Sequence, residues 1–181
     1  MTKYILLLLG FTGILSSCSP RLKPFTQELN NSYDWTESDL KQIQFYISSD
    51  IILYREIGSE TSQIVDGGIR IKDGQKVEEI IFKKGTPGVL LFSPKSDRFA
   101  ISFDDVEGTD RYLMFGPSEN ARGNFVLLAK KWRQNQGTIS YNNDIYYTDA
   151  KSAYAILLVD IKKAKKVKFN SKKIKGRKIS Q

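Results

Sequence analysis

"GTISYNNDIYYT", residues 137–148, decides the fold. Before Asn142, apolar Ile139 and Tyr141 alternate with Thr138 and Ser140; after Asn143, Ile145 and Tyr147 fall on one face while Asp144 and Tyr146 fall on the other. A period of two is the period of a β-strand, whose successive side chains point to opposite faces. Asparagine tolerates the positive φ that a tight two-residue turn demands, so the stretch predicts a β-hairpin closed by Asn142 and Asn143. It also puts at least one tyrosine in water.

The same pattern repeats outward along the chain. "DIILYREI" (50–57), "GIRI" (68–71), "KVEEIIFK" (76–83), "GVLLFS" (88–93), "RFAISFD" (98–104), "RYLMFG" (111–116), "NFVLLA" (124–129) and "AYAILLVD" (153–160) are short and rich in β-branched and aromatic residues. Turn-forming residues separate them, and "KKGTPGVL" (83–90) places Pro87 and Gly88 at the centre of an expected type II turn. About ten short strands at close spacing predict a mainly β domain, a barrel or a sandwich. One helix is expected near its start. Thr36 followed by Asp39 forms a capping-box-like signal, and Leu40, Ile43, Gln44 and Ile47 share a stripe. The run of strand, Gly-containing turn, "GVLLF", "FAISF" and "YLMFG" over residues 76–116 resembles the small SH3-like barrels of bacterial envelope proteins.

The amino-terminal end has a different character. Lys3 precedes an apolar run from Tyr4 to Leu15, interrupted by Gly10 and Gly13, with no further charge until Arg21. A spanning helix needs about 20 apolar residues, so this shorter run is read as a secretory signal peptide over residues 1–17. It ends in "LSSC", Leu15 to Cys18, which resembles the lipobox of bacterial lipoproteins. In that family a diacylglycerol is attached to the cysteine sulfur, the chain is cut just before it, and the new terminus is usually acylated. The resemblance therefore implies Cys18 as the first mature residue and the membrane anchor. Two or three acyl chains, at about 0.8 kcal/mol per buried methylene, hold a soluble domain where one chain would not. The composition is also similar to that of Bacteroidota envelope lipoproteins. With Ser19 after the cysteine, and Arg21 and Lys23 in place of acids, the resemblance implies the periplasmic side of the outer membrane.

Residues 18–34, with Pro20 and Pro24 among polar side chains, read as a tether; residues 35–160 are the expected domain, and residues 161–181 a basic tail. The tail carries Lys162, Lys163, Lys165, Lys166, Lys168, Lys172, Lys173, Lys175, Arg177 and Lys178 without an acid. All 20 acids stand against 17 Lys and Arg in residues 18–160, so the high isoelectric point belongs to the tail. Such a tail is expected to touch an anionic envelope surface. Nucleic acid suits the charge but not an exported protein.

Composition narrows the chemistry further. The chain has no histidine and a single cysteine, which excludes an intrachain disulfide, a Ser-His pair and a cysteine–histidine metal cluster, and no cofactor is expected. "SDLK", Ser38 to Lys41, has the Ser-x-x-Lys spacing of penicillin-binding enzymes but lacks their other elements, and is read as a helix start. Asp104, Asp105, Glu107 and Asp110 could supply oxygen ligands to calcium, yet without the spacing of an EF-hand they read as a solvated connection. Glu78 and Glu79, adjacent on a strand, point to opposite faces and cannot flank one glycosidic bond. The aromatic side chains Tyr141, Tyr146, Tyr147, Tyr154 and Trp132 remain as binding candidates for a wall glycopeptide or a partner protein. The expectation is a non-catalytic binding or scaffold module of the cell envelope, with a carboxylate-dependent enzyme acting on envelope glycopeptide as the alternative.

Overall fold

The computed structural model describes residues 21–57, 68–72, 75–106 and 110–169. The expected signal peptide, Cys18, Glu107, and Lys172, Lys173, Lys175, Arg177 and Lys178 of the tail lie outside the described residues, as does the side chain of Lys168.

Thirteen strands among the described residues build two antiparallel sheets. One holds β1 (Leu22–Pro24), β13 (Leu157–Asp160), β2 (Phe45–Ile47), β6 (Pro87–Lys95), β7 (Arg98–Ser102), β8 (Leu113–Ser118) and β9 (Asn124–Leu127), in that spatial order. The other runs β10 (Lys131–Arg133), β11 (Gln136–Tyr141), β12 (Asp144–Asp149), β3 (Ile51–Glu56), β5 (Gln75–Phe82) and β4 (Gly68–Lys72). The seven-stranded sheet curls until β9 meets the stretches beside β1 and β13 through single bridges, Thr26 to Asn124 and Val126 to Ile156. No continuous ladder follows. The sheets are not closed into a barrel, and the sandwich is the expected architecture that fits. Residues 76–116 divide between both sheets, with β5 in one and β6 to β8 in the other, so the SH3-like spacing does not correspond to one closed unit.

Alternation explains the core. Ile51 and Leu53 on β3, Ile139 and Tyr141 on β11, and Tyr146 and Thr148 on β12 are buried, as are Phe45 and Ile47 on β2. Phe25, Phe45, Phe99 and Phe125 have no exposed surface and pack ring on ring, with centroids 4.8 Å apart for Phe99–Phe125 and 5.0 Å for Phe25–Phe125. The hairpin of residues 137–148 forms as predicted: Tyr141 pairs with Asp144, and Asn142 and Asn143 take φ of 50° and 63°.

Four expectations need correcting. The segment after Thr36 keeps its capping box, with the Asp39 amide donating to Thr36 Oγ1 at 3.2 Å and the Thr36 amide donating to Asp39 Oδ2 at 3.0 Å. The helix nevertheless spans only Glu37–Leu40 (α2), because Ile43, Phe45 and Ile47, all buried, have the period of a strand and continue into β2. Residues 22–34 are not a tether. β1 pairs with β13, Phe25 enters the core, and Thr26 caps the helix Gln27–Tyr33 (α1) by accepting from the Leu29 amide at 3.0 Å. Pro24 suits this place because β1 is an edge strand, where a missing N–H costs no ladder bond. The turn in "KKGTPGVL" is centred on Lys84 and Gly85, three residues earlier than expected: Gly85 has φ of 81°, the Thr86 amide donates to the Lys83 carbonyl at 3.0 Å, and Pro87 and Gly88 open β6. Finally, the first part of the basic tail is a helix, Ile161–Phe169 (α3), with Ala164 buried against the core.

Candidate functional site

The expected aromatic candidates do not gather in one place. Tyr141 and Tyr146 lie in the core, 2% and 0% exposed, on the inward face of β11 and β12. Trp132 is half-exposed at the edge strand β10, its ring laid over Gly137 so closely that a Cβ there would sit 2.9 Å from it. Since Gly137 shares the inward parity of Ile139 and Tyr141, Trp132 and Tyr147 occupy opposite faces of the sheet. Tyr154 is exposed on a separate helical turn, Ser152–Tyr154.

Tyr147 instead has a partner that sequence reading missed. Tyr54 on β3 lies directly across from it, and the two rings stand 6.2 Å apart at 42°. Gln136 Nε2 donates to Tyr54 Oη at 2.9 Å and braces the pair. Around them a groove of about 550 Å³ opens on the outer face of the six-stranded sheet, lined also by Glu56, Gln75, Val77 and Ile145. It continues past Gln136 toward Arg133 and the loop residues Gln134 and Asn135. The outward parity of Tyr54 follows from buried Ile51 and Leu53 in its strand, but its register with Tyr147 is a long-range pairing that no local pattern reports.

Beneath the groove the three central strands are held by charge. Arg55 on β3 binds buried Glu78 on β5 through Nε and Asp144 on β12 through Nη1, the latter at 2.6 Å, and its guanidinium lies 5.1 Å from the centre of the Tyr146 ring. Burial works against the Arg55 charge; the hydrogen bond to Glu78 and the nearby charges of Glu78 and Asp144 outweigh it and hold the guanidinium above its ordinary value. This network is a floor for the groove walls. It leaves Tyr54 and Tyr147 facing out.

The remaining candidates have structural partners. Glu79 accepts from Arg70 on the face opposite Glu78, as parity requires. Lys41 pairs with Glu37 at 2.8 Å, while Ser38 Oγ lies 3.0 Å from Thr36 Oγ1, so the Ser-x-x-Lys lysine is committed elsewhere. In the acidic stretch, Asp104 accepts from Arg111 at 3.0 Å, from the Tyr141 hydroxyl at 3.1 Å and from the Val106 amide at 3.0 Å. Burial alone would raise this carboxyl, but those three donors together hold it below its ordinary value. Asp110 accepts from Asn143 Nδ2 at 2.9 Å, and its carbonyl accepts from the Asn142 amide, which ties this connection to the hairpin turn.

Among the described residues no helix is long and apolar enough to cross a membrane, and no group of three or more His, Cys, Asp or Glu is placed to hold a metal. No protein-family model matches the chain, and no curated protein or solved structure matches it either.

Proposed function

We propose that the protein is a lipid-anchored, non-catalytic binding module of the bacterial cell envelope, whose Tyr54–Tyr147 groove takes a glycopeptide strand of the cell wall. The observation that carries this reading is the groove itself: two adjacent tyrosine rings, an amide already hydrogen-bonded to one of them, and an apolar wall of Val77 and Ile145. A sugar ring offers an apolar C–H face to stack on tyrosine and hydroxyls to pair with amide groups, and this lining offers both. The groove is open and shallow, a shape suited to an extended polymer. Anchoring through Cys18 and a place on the periplasmic side of the outer membrane, argued from Leu15–Cys18 and from Ser19, Arg21 and Lys23, would hold this face within reach of the wall.

The test is co-sedimentation of the mature chain with purified peptidoglycan, alongside Tyr54→Ala/Tyr147→Ala and Trp132→Ala. The double tyrosine variant is expected to lose at least tenfold in binding, at about 1 to 2 kcal/mol per ring, while Trp132→Ala binds as the unaltered chain does. Equal binding by the double variant would overturn the groove as the site. Release of soluble muropeptides would instead favour a carboxylate-dependent enzyme.

A further inference from the structure

The sequence presents Lys162 to Lys166 as part of a charged end, but folding gives these residues a fixed position. β13 ends at Asp160, and Asp160 Oδ1 accepts from the Lys162 amide at 3.1 Å and, more weakly, from the Lys163 amide at 3.4 Å, so the chain turns directly from strand into α3. Ala164 is buried and Val167 packs against the core, one helical turn apart. Lys162, Lys163, Lys165 and Lys166 consequently remain on the solvent side and are exposed. Lys165 is drawn over the Tyr33 ring, 5.7 Å from its centre, which links α3 to α1. Among the described residues none of the four ammonium groups has a carboxylate oxygen within 4.0 Å, so no ion pair there consumes the charge.

The decisive feature is where α3 starts. Asp160 lies across from Leu22, the first residue of β1, so the amino-terminal strand begins beside the first turn of the basic helix. Only three residues separate Leu22 from Cys18, four Cα-to-Cα steps that span at most about 14 Å. Arg21 and Lys23, both exposed, add charge to the same corner.

We infer that α3 and the start of β1 form a membrane-apposed face, in which Lys162, Lys163, Lys165 and Lys166 contact the head groups of an anionic phospholipid bilayer. In the cell this contact rests on the anchoring reading of Cys18, because the short connection keeps the face at the bilayer. Anionic lipid attracts lysines held near its surface, and the attraction fades beyond a Debye length of about 8 Å at physiological salt. A helix locked next to the anchor satisfies that distance without ordering a long linker. A face so placed orients the sandwich as well as strengthening its attachment.

The experiment uses the mature chain carrying Cys18→Ala, which cannot be lipidated, with vesicles of phosphatidylcholine alone or with 30% phosphatidylglycerol, at low and high salt. Expected is binding to anionic vesicles that weakens at least tenfold in high salt and at least tenfold in Lys162→Gln/Lys163→Gln/Lys165→Gln/Lys166→Gln. Glutamine keeps helix propensity, and an unchanged near-ultraviolet spectrum establishes that the variant is folded. A second variant ending at residue 169 is expected to retain most of the binding. The inference is overturned if anionic and neutral vesicles bind alike, or if the glutamine variant binds as before while the shortened chain does not bind. Failure of labelled palmitate to enter the chain at Cys18 would overturn the anchoring reading, and leaves this lipid contact to stand or fall on the vesicle result.

Discussion

Arg55 and Glu78 show how much can rest on one charged pair between two strands. Glu78 has no exposed surface, and Arg55 meets its charge from the neighbouring strand. Removing Arg55 leaves the buried Glu78 charge without its guanidinium, so Arg55→Met is expected to cost about 3 to 5 kcal/mol in urea unfolding. Replacing both, as Arg55→Met/Glu78→Leu, is expected to recover most of that loss, because Asp144 is 41% exposed and can be solvated alone. A double variant no more stable than Arg55→Met would contradict this account. Parity in "KVEEIIFK" was enough to put Glu78 and Glu79 on opposite faces. Which of them faced inward depended on the pairing of β5 with β3, where Arg55 lies across from Glu78.

Among the elements, β1 shows how a polar, proline-containing stretch can still belong to a core. It has three residues and its burial is slight, so no hydrophobic periodicity announces it. Its contribution comes from Phe25 just beyond it, whose amide donates to the Leu157 carbonyl at 2.8 Å and whose carbonyl accepts from the Phe125 amide at 3.0 Å. Phe25 therefore joins the two ends of the curled seven-stranded sheet, with its ring against Phe45, Phe99 and Phe125. Phe25→Ala is expected to destabilise the domain by about 3 to 5 kcal/mol, measured by urea unfolding of the mature chain. A change below about 1 kcal/mol would restore the view of this segment as a tether. The helix after Thr36 teaches the opposite lesson. Leu40 and Ile43 fit a helical stripe, yet Ile43, Phe45 and Ile47 fit a strand equally well, and pairing of β2 with β13 and β6 decides between the two periods.

Across the whole molecule, stability should depend on acid. The Asp104 carboxyl lies below its ordinary value of 3.8 because the Val106 amide, Arg111 and Tyr141 outweigh the effect of its burial. A group with a depressed folded pKa stabilises the fold above its unfolded pKa, and that contribution is lost as the pH falls toward the folded value. Glu37 and Asp50 are also lowered, Glu37 chiefly by its hydrogen bond with Lys41 and Asp50 chiefly by the Lys84 amide, and they act in the same direction. The melting temperature is expected to hold between about pH 5 and 7 and to fall below about pH 4. Asp104→Asn should lower it at neutral pH, by about 1 to 3 kcal/mol in stability, and flatten the decline in acid. An equally steep acid decline in that variant would remove Asp104 from the explanation. Its position couples distant parts of the chain, since Tyr141 closes the hairpin strand β11 and Arg111 precedes β8.

What the sequence determined by itself was local. Alternation in "GTISYNNDIYYT" specified two strands, their turn and the opposite facing of Tyr146 and Tyr147, because strand parity and the left-handed tolerance of asparagine act within a few residues. The charge of residues 161–181 was equally plain. Tertiary structure decided what those local facts became: Tyr54 beside Tyr147, Arg55 beneath them, Phe25 in the core, and the lysines of α3 beside the start of β1. Each of these is a pairing between segments far apart in the chain. Such pairings follow from how the apolar faces of many strands are buried together, a condition that no single window of sequence contains.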